Sequence, residues 1–238
     1  MPPKKNNPSK IISNETKNHY ESLPAHLRNS NPQPDLDKTG IVLPARICLI
    51  GSSGSGKTVC LFEFLQRSPH SFTKIVLCVK STGEPLYQHL IESTDPELLD
   101  VFEGGIVPPL ADYKCNPGAG LIIFDDLMSL SKNEQLPIVD WSIRCRKLGE
   151  FGFTMVYISQ SFFAIPKNIR LQMSYLFIKK LASAKDRNLI LSECSLGISK
   201  EQLDSYYKKA TKRKWDFLGI ALESPEECKY RRNFLEIL

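Results

Sequence analysis

Residues 47–58 read Ile-Cys-Leu-Ile-Gly-Ser-Ser-Gly-Ser-Gly-Lys-Thr, an apolar run that ends in a complete G-x-x-x-x-G-K-[ST] loop. Val59-Cys60-Leu61-Phe62-Glu63-Phe64-Leu65 follows and reads as a helix, so the loop has the strand-before, helix-after context that its chemistry needs. Gly51, Gly54 and Gly56 let the backbone curl, so that N–H groups along Gly51-Ser52-Ser53-Gly54-Ser55-Gly56 converge on phosphate oxygens. The positive end of the following helix adds to that field. Lys57 would reach the β- and γ-phosphates, and the Thr58 hydroxyl would ligate Mg²⁺. The four specified positions match by chance in roughly one chain in a hundred at this length, so it is the match together with its flanking elements that carries the assignment.

A second stretch has the same logic. Leu121-Ile122-Ile123-Phe124-Asp125-Asp126 is a buried strand ending in two carboxylates. Beside a phosphate loop, such a strand end is the Mg²⁺ side of the site, the Walker B pattern. Asp125 would hold Mg²⁺ through water, and Asp126 would orient or deprotonate the attacking water. A third run, Met155-Val156-Tyr157-Ile158-Ser159-Gln160, ends in a polar residue. The carboxyl ends of parallel strands all face one ligand crevice, which would bring Gln160 near the γ-phosphate.

The 238 residues suit one α/β domain with additions. Hydrophobic content of 42% and charged content of 24% are ordinary for a globular chain with a substantial core. The net charge of +5 permits nucleic-acid contact without requiring it. No apolar run approaches the ~20 residues that span a bilayer. The N-terminal lysines precede no apolar segment of the kind a secretory signal needs, so neither a membrane anchor nor secretion is expected. The seven cysteines show no C-x-x-C pairing, and several sit in apolar runs, which fits reduced, buried thiols. His19, His26, His70 and His89 lack metal-ligand spacing, so no zinc site is expected.

Residues 1–40 are rich in Pro, Asn, Ser and Lys and read as a flexible polar tail, with Leu23 to Leu27 as a short docking segment. A P-loop ATPase domain is expected over 41–238, with a core over 41–182 and a helical and β addition over 183–238. Strands are expected at 41–50, 72–80, 121–124, 154–159 and 175–181. Helices are expected at 58–66, 84–92, 96–102, 133–147 and 199–212, the last opened by a Ser199/Gln202 capping box. Residues 104–120 are rich in Gly and Pro and read as a loop. Residues 215–222 and 230–238 suggest an antiparallel pair. Strands without polar alternation are covered on both faces, so the fold class is α/β with a mostly parallel central sheet.

The sequence from Ile143-Arg144-Cys145-Arg146-Lys147 through Thr154–Gln160 to Ser161-Phe162-Phe163-Ala164-Ile165-Pro166-Lys167-Asn168-Ile169-Arg170 resembles one family. It is similar to the genome-packaging ATPases of poxviruses, other large eukaryotic DNA viruses, virophages and Polinton-type transposons, within the FtsK–HerA class. The resemblance covers residues 41–182. It implies a P-loop NTPase of the additional-strand type, with an extra strand between the phosphate-loop strand and the Walker B strand. It also implies a homo-oligomeric ring, pentameric or hexameric, that hydrolyses ATP with Mg²⁺ and drives double-stranded DNA into a capsid. Capsid or portal-vertex proteins would be its partners, and the virion or the viral assembly site its location. Carried over by position, Lys57 and Thr58 bind phosphate and Mg²⁺, Asp125 supports Mg²⁺, Asp126 is the catalytic base and Gln160 the sensor. An arginine of the 144–146 region would reach a neighbouring subunit's site as a finger. Arg146 is favoured, with Arg144 and Arg170 as rivals. Viral relatives often carry Arg-His where this chain has Arg146-Lys147.

A translocase needs backbone-directed cations, and Tyr206-Tyr207-Lys208-Lys209-Ala210-Thr211-Lys212-Arg213-Lys214-Trp215 is the best local candidate for DNA contact. Lys167, Lys179 and Lys180 are further candidates. Glu201 and Asp204 open that helix and its bases close it, which is also what a solvated helix end looks like. The rival functions are a nucleoside or nucleotide kinase, a cellular HerA-like translocase and a nucleotide-dependent assembly factor. A GTPase switch fits poorly, because Asp125-Asp126-Leu127-Met128 lacks the expected glycine and no Asn-Lys-x-Asp occurs.

Overall fold

The computed structural model describes residues 18–24 and 30–238. These fall into two units, Met1–Ser30 and Asn31–Leu238. The described part of the first is a single 3-10 turn, His19–Ser22, whose Asn18 side chain accepts from the Tyr20 N–H. Ala25, His26 and Leu27 of the expected docking segment lie outside the described residues.

The second unit is built on nine strands: β1 (Arg46–Ile50), β2 (Lys74–Val79), β3 (Leu99–Phe102), β4 (Gly120–Asp125), β5 (Phe153–Ser159), β6 (Tyr175–Ile178), β7 (Leu218–Ala221), β8 (Tyr230–Arg232) and β9 (Glu236–Ile237). They form one sheet in the order β3-β2-β4-β5-β1-β6-β7-β8-β9. The first six in that order pair in parallel, and β7, β8 and β9 continue the sheet antiparallel. β5 therefore lies between the phosphate-loop strand β1 and the Walker B strand β4, as the resemblance implies.

Helices cover both faces: α1 (Leu36–Thr39), α2 (Lys57–Arg67), α3 (Pro85–Ser93), α4 (Leu136–Arg144), α5 (Lys167–Arg170), α6 (Ala184–Cys194), α7 (Lys200–Ala210) and α8 (Glu226–Lys229). The alternation of β1 divides the core. Ile47 and Leu49 join Leu61, Phe64 and Tyr87 beneath α2 and α3. Cys48 and Ile50 join Trp141, Ile190 and Leu203 beneath α4, α6 and α7. Burying both faces explains why these strands read as continuous apolar runs. Of the cysteines, 48, 60, 78, 145 and 194 are buried in these two layers and all seven are free thiols.

Several expectations are corrected. Residues 31–40 belong to the compact unit rather than to the tail. Asp35 is 2% exposed and accepts from Lys38 Nζ at 2.8 Å, the His70 N–H at 2.9 Å and Ser71 Oγ at 2.9 Å. The first strand begins at Arg46, not at 41, because Pro44 has no N–H to give a ladder. Residues 99–102 form β3, a parallel edge strand on β2, where helix was expected. Four residues hold too little periodicity to separate the two, and pairing decides. Finally, α6 was not anticipated, although Ser183 caps it by accepting from the Asp186 N–H, an S-x-x-D signature. At α7 the capping is half of what was expected. Ser199 Oγ accepts from the Gln202 N–H, but the Gln202 side chain bonds Tyr206 instead of closing the box.

Asp35 carries a stability prediction. Burial alone would raise its pKa, but the bonds from Lys38, His70 and Ser71 outweigh it and hold the carboxyl well below the usual range. Its contribution is therefore in place above pH ~4 and lost as pH falls. Asp35→Ala takes the acceptor from the buried Ser71 hydroxyl and the partly buried His70 N–H, and should cost roughly 2–4 kcal/mol in urea unfolding at pH 7. A change under ~0.5 kcal/mol would show the segment to be peripheral.

Candidate nucleotide site

The carboxyl ends of β1, β4 and β5 bring three sequence-predicted elements to one edge of the sheet. The loop leaves β1 at Gly51, whose N–H bonds the Ser159 carbonyl of β5 at 3.2 Å, and the Ser52 N–H bonds the Lys180 carbonyl beyond β6 at 3.2 Å. The cradle is thus tied to the strands on both sides. Gly51 is required by packing, since a Cβ there would lie 2.5 Å from both Lys179 Cβ and Ser55 Oγ. Gly56 is required twice over. It caps α2 at φ +85°, and a Cβ would lie 2.7 Å from the Trp215 ring. Lys57 Nζ donates to the loop's own carbonyls at Gly51 (2.9 Å) and Ser52 (3.2 Å). Its burial pulls the ammonium below the ordinary lysine range, against the opposing charges of Asp125 and Asp126. Ser55 Oγ is buried without a hydrogen-bond partner, an orphaned group facing a loop built to receive oxygen acceptors.

Thr58, Asp125, Asp126 and Tyr87 line one cleft of about 620 Å³. Tyr87, on α3, donates to Asp125 Oδ2 at 2.7 Å. Burial raises the Asp125 pKa, with the Tyr87 bond and the Lys57 charge only partly opposing it. Tyr87 carried no signal in the sequence, since a tyrosine in an amphipathic helix reads as core. Asp126 adopts the left-handed region at φ 58°, uncommon for a side-chain-bearing residue, and is exposed. Gln160 Nε2 donates to Asp126 Oδ1 at 3.4 Å. The sensor position and the second acid therefore meet across neighbouring strands. Asp186, from the unanticipated α6, fixes the sensor loop by accepting from Ser161 Oγ and the Phe163 N–H, both at 2.8 Å. The Thr58 hydroxyl and the Asp125 carboxylate, both oxygen donors on one cleft, fit a hard divalent cation such as Mg²⁺.

The three arginines separate. Arg170 is committed to the fold: its guanidinium donates to the carbonyls of Phe162, Phe163 and Ile165 and pairs with Glu193 at 3.3 Å. Arg146 is half-exposed and faces Glu223 at 3.8 Å, and Arg144 is exposed with Asp140 at 4.0 Å. Both precede β5, at the sheet edge where Arg46 opens β1. The phosphate loop is at the other edge, on the order of 13 Å or more away along β1.

The basic stretch around α7 also divides. Lys208 pairs with Asp204 at 2.8 Å, while Lys209, Lys212, Arg213 and Lys214 are exposed. Lys212 and Lys214 border a cleft of about 450 Å³ shared with Ser52–Ser55 of the loop. Lys179 is corrected outright as a DNA-contact candidate, because it is 0% exposed and its Nζ donates to the Trp215 carbonyl at 2.6 Å.

Fold and site define the chain as a P-loop NTPase of the additional-strand type. No family model matches the sequence, and no curated protein matches it. Solved structures do. The genome packaging NTPase B204 from Sulfolobus turreted icosahedral virus 2, in complex with AMP, superposes with a TM-score of 0.55 at 15% identity, covering 82% of this chain and 99% of that one. The DNA-packaging ATPase B204 from Sulfolobus turreted icosahedral virus gives 0.57 at 14% identity, covering 80% and 97%. The pCW3 conjugation coupling protein TcpA gives 0.54 at 14% identity, covering 82% of this chain and 62% of that one. At such identities the likeness establishes the shared fold. Among the described residues, no helix is long and apolar enough to cross a membrane.

Proposed function

We propose that the chain is an ATP-hydrolysing motor that moves double-stranded DNA into a viral capsid. The observation that carries this is the meeting of Lys57, Thr58, Asp125, Asp126 and Gln160 at the ends of three adjacent strands, with the sensor strand β5 inserted between β1 and β4. A fold shared over nearly the whole length of two packaging enzymes, one of them holding AMP, supports it. The kinase alternative needs arginines closing over the phosphates, whereas Arg144 and Arg146 lie at the far edge of the sheet.

In this reading the N–H groups of residues 51–56 and Lys57 bind the β- and γ-phosphates of ATP. Asp126 takes a proton from the attacking water, and Gln160 orients that water and reports the γ-phosphate to the loop anchored by Asp186. Thr58 and Asp125 would hold Mg²⁺, which supplies charge neutralisation on the phosphate oxygens. Subunits associate as a pentameric or hexameric ring, with Arg146 serving the neighbour's site. The exposed bases Lys209, Lys212 and Arg213 are the residues proposed for DNA contact. Capsid or portal-vertex proteins dock the motor in the virion or at the assembly site. The reading is tested by whether ATP turnover responds to long duplex DNA.

Tyr87 gives a pH-dependent prediction. Its donated bond favours the ionised form of Asp125, which cation binding needs. Tyr87→Phe keeps the burial and removes the bond, so Asp125 protonates at higher pH than in the wild type. The acid limb of the pH–turnover profile should move upward, and Mg²⁺ affinity at neutral pH should fall by about 10–100-fold. Superimposable acid limbs would show that Tyr87 only packs.

A further inference from the structure

The loop fixes which way a bound nucleotide must run. Lys57, Asp125, Asp126 and Gln160 collect the terminal phosphate on the β4 and β5 side of β1. The nucleoside must therefore leave on the other side, toward β6 and β7. There the described surface offers Trp215, 53% exposed, whereas the other tryptophan, Trp141, is fully buried. Trp215 abuts the cradle itself: a Cβ on Gly56 would lie 2.7 Å from ring atom Cε3. Its backbone is clamped, since the buried Lys179 donates to its carbonyl at 2.6 Å. The stem of that lysine packs under Gly51, where a Cβ would lie 2.5 Å from Lys179 Cβ. The ring and the half-exposed Val59, second residue after Lys57, line one small cleft between α2 and the C-terminal strands. Lys214 Nζ stands 4.5 Å over the ring, and Lys212 and Lys214 line the separate cleft that Ser52–Ser55 of the loop share. A rigidly held, exposed indole next to a phosphate cradle, rimmed by cations, matches the chemistry of a nucleobase with its ribose phosphates.

We propose that Trp215 is the stacking platform for the base of the bound nucleotide, with Lys179 as the positioning residue that sets the platform against the phosphate loop. The proposal rests on reading residues 51–58 as the phosphate cradle, and it gives the Trp215 ring to the nucleotide rather than to DNA.

The test titrates wild type, Trp215→Ala and Trp215→Phe with ATP and with inorganic triphosphate, which has phosphates but no base. Trp215→Ala should weaken ATP by about tenfold or more and leave triphosphate within about twofold. Trp215→Phe should keep most of the ATP affinity. ATP, but not triphosphate, should quench wild-type tryptophan emission, and the quench should vanish in Trp215→Phe, which reads out the contact even if the alanine variant does not fold. Equal losses of both ligands in Trp215→Ala would reduce the ring to a prop for the loop and overturn the proposal. So would unchanged ATP affinity, or lost affinity for duplex DNA with ATP binding intact. A wild type that binds neither ligand would instead defeat the phosphate-cradle reading itself.

Discussion

Asp126→Asn should lower ATP turnover by about 10²–10⁴-fold and leave ATP affinity within a few-fold of wild type. The expectation follows from how the residue is held. Asp125 accepts from Tyr87, whereas Asp126, held in the left-handed region, accepts from Gln160 at the end of the neighbouring strand. A residue so placed is free of the cradle, so losing its charge removes a proton acceptor and not a ligand for the phosphates. Asparagine keeps the size and can still bond Gln160, which isolates the basicity. Phosphate release and equilibrium nucleotide binding, measured on the same protein, separate the two effects. Turnover that survives the substitution would move the base elsewhere.

Arg146→Ala should abolish turnover to a similar or greater degree, about 10³-fold or more, and the loss should be curable in trans. Arg146 stands at the sheet edge opposite its own phosphate loop and is held only by a half-exposed contact to Glu223 at 3.8 Å. It has no route to its own site, and swinging away from Glu223 costs little. Mixing Arg146→Ala subunits, which have an intact cradle, with Lys57→Ala subunits, which have an intact finger, should restore turnover that neither has alone. Arg144→Ala is the control and should lose less than threefold, an order-of-magnitude expectation for an exposed arginine. Failure of the mixture to recover activity would place the finger in cis or remove it.

Much of this was legible in the sequence, because the phosphate loop and the strand ends are set by local chemistry. Gly51, Gly56, Lys57 and Thr58 are specified by backbone shape and phosphate geometry within a dozen residues, and the apolar runs of β1, β4 and β5 report burial on both faces. What could not be read depends on distant partners. Tyr87 and Asp186 reach the site from helices whose patterns look like ordinary core and cap, Asp186 at least leaving its capping signature at Ser183. β3 exists because β2 offers it an edge, not because Leu99–Phe102 is periodic. The second compact unit begins at residue 31 and not 41, because Asp35 finds the N–H of His70 and the hydroxyl of Ser71. Composition registers the polar residues of 31–40 and not the network that buries one of them. Lys179 shows the converse error: a lysine pair at a strand end reads as a basic surface, and one member is wholly internal.

The most direct test of the account is steady-state ATP hydrolysis by the wild-type chain with and without long double-stranded DNA at low and moderate salt, with Lys57→Ala and Asp126→Asn alongside. The account predicts turnover that rises with DNA, releases free phosphate and is lost in both variants. Turnover indifferent to DNA at both salt concentrations, or phosphate delivered to a nucleoside instead of water, would contradict it.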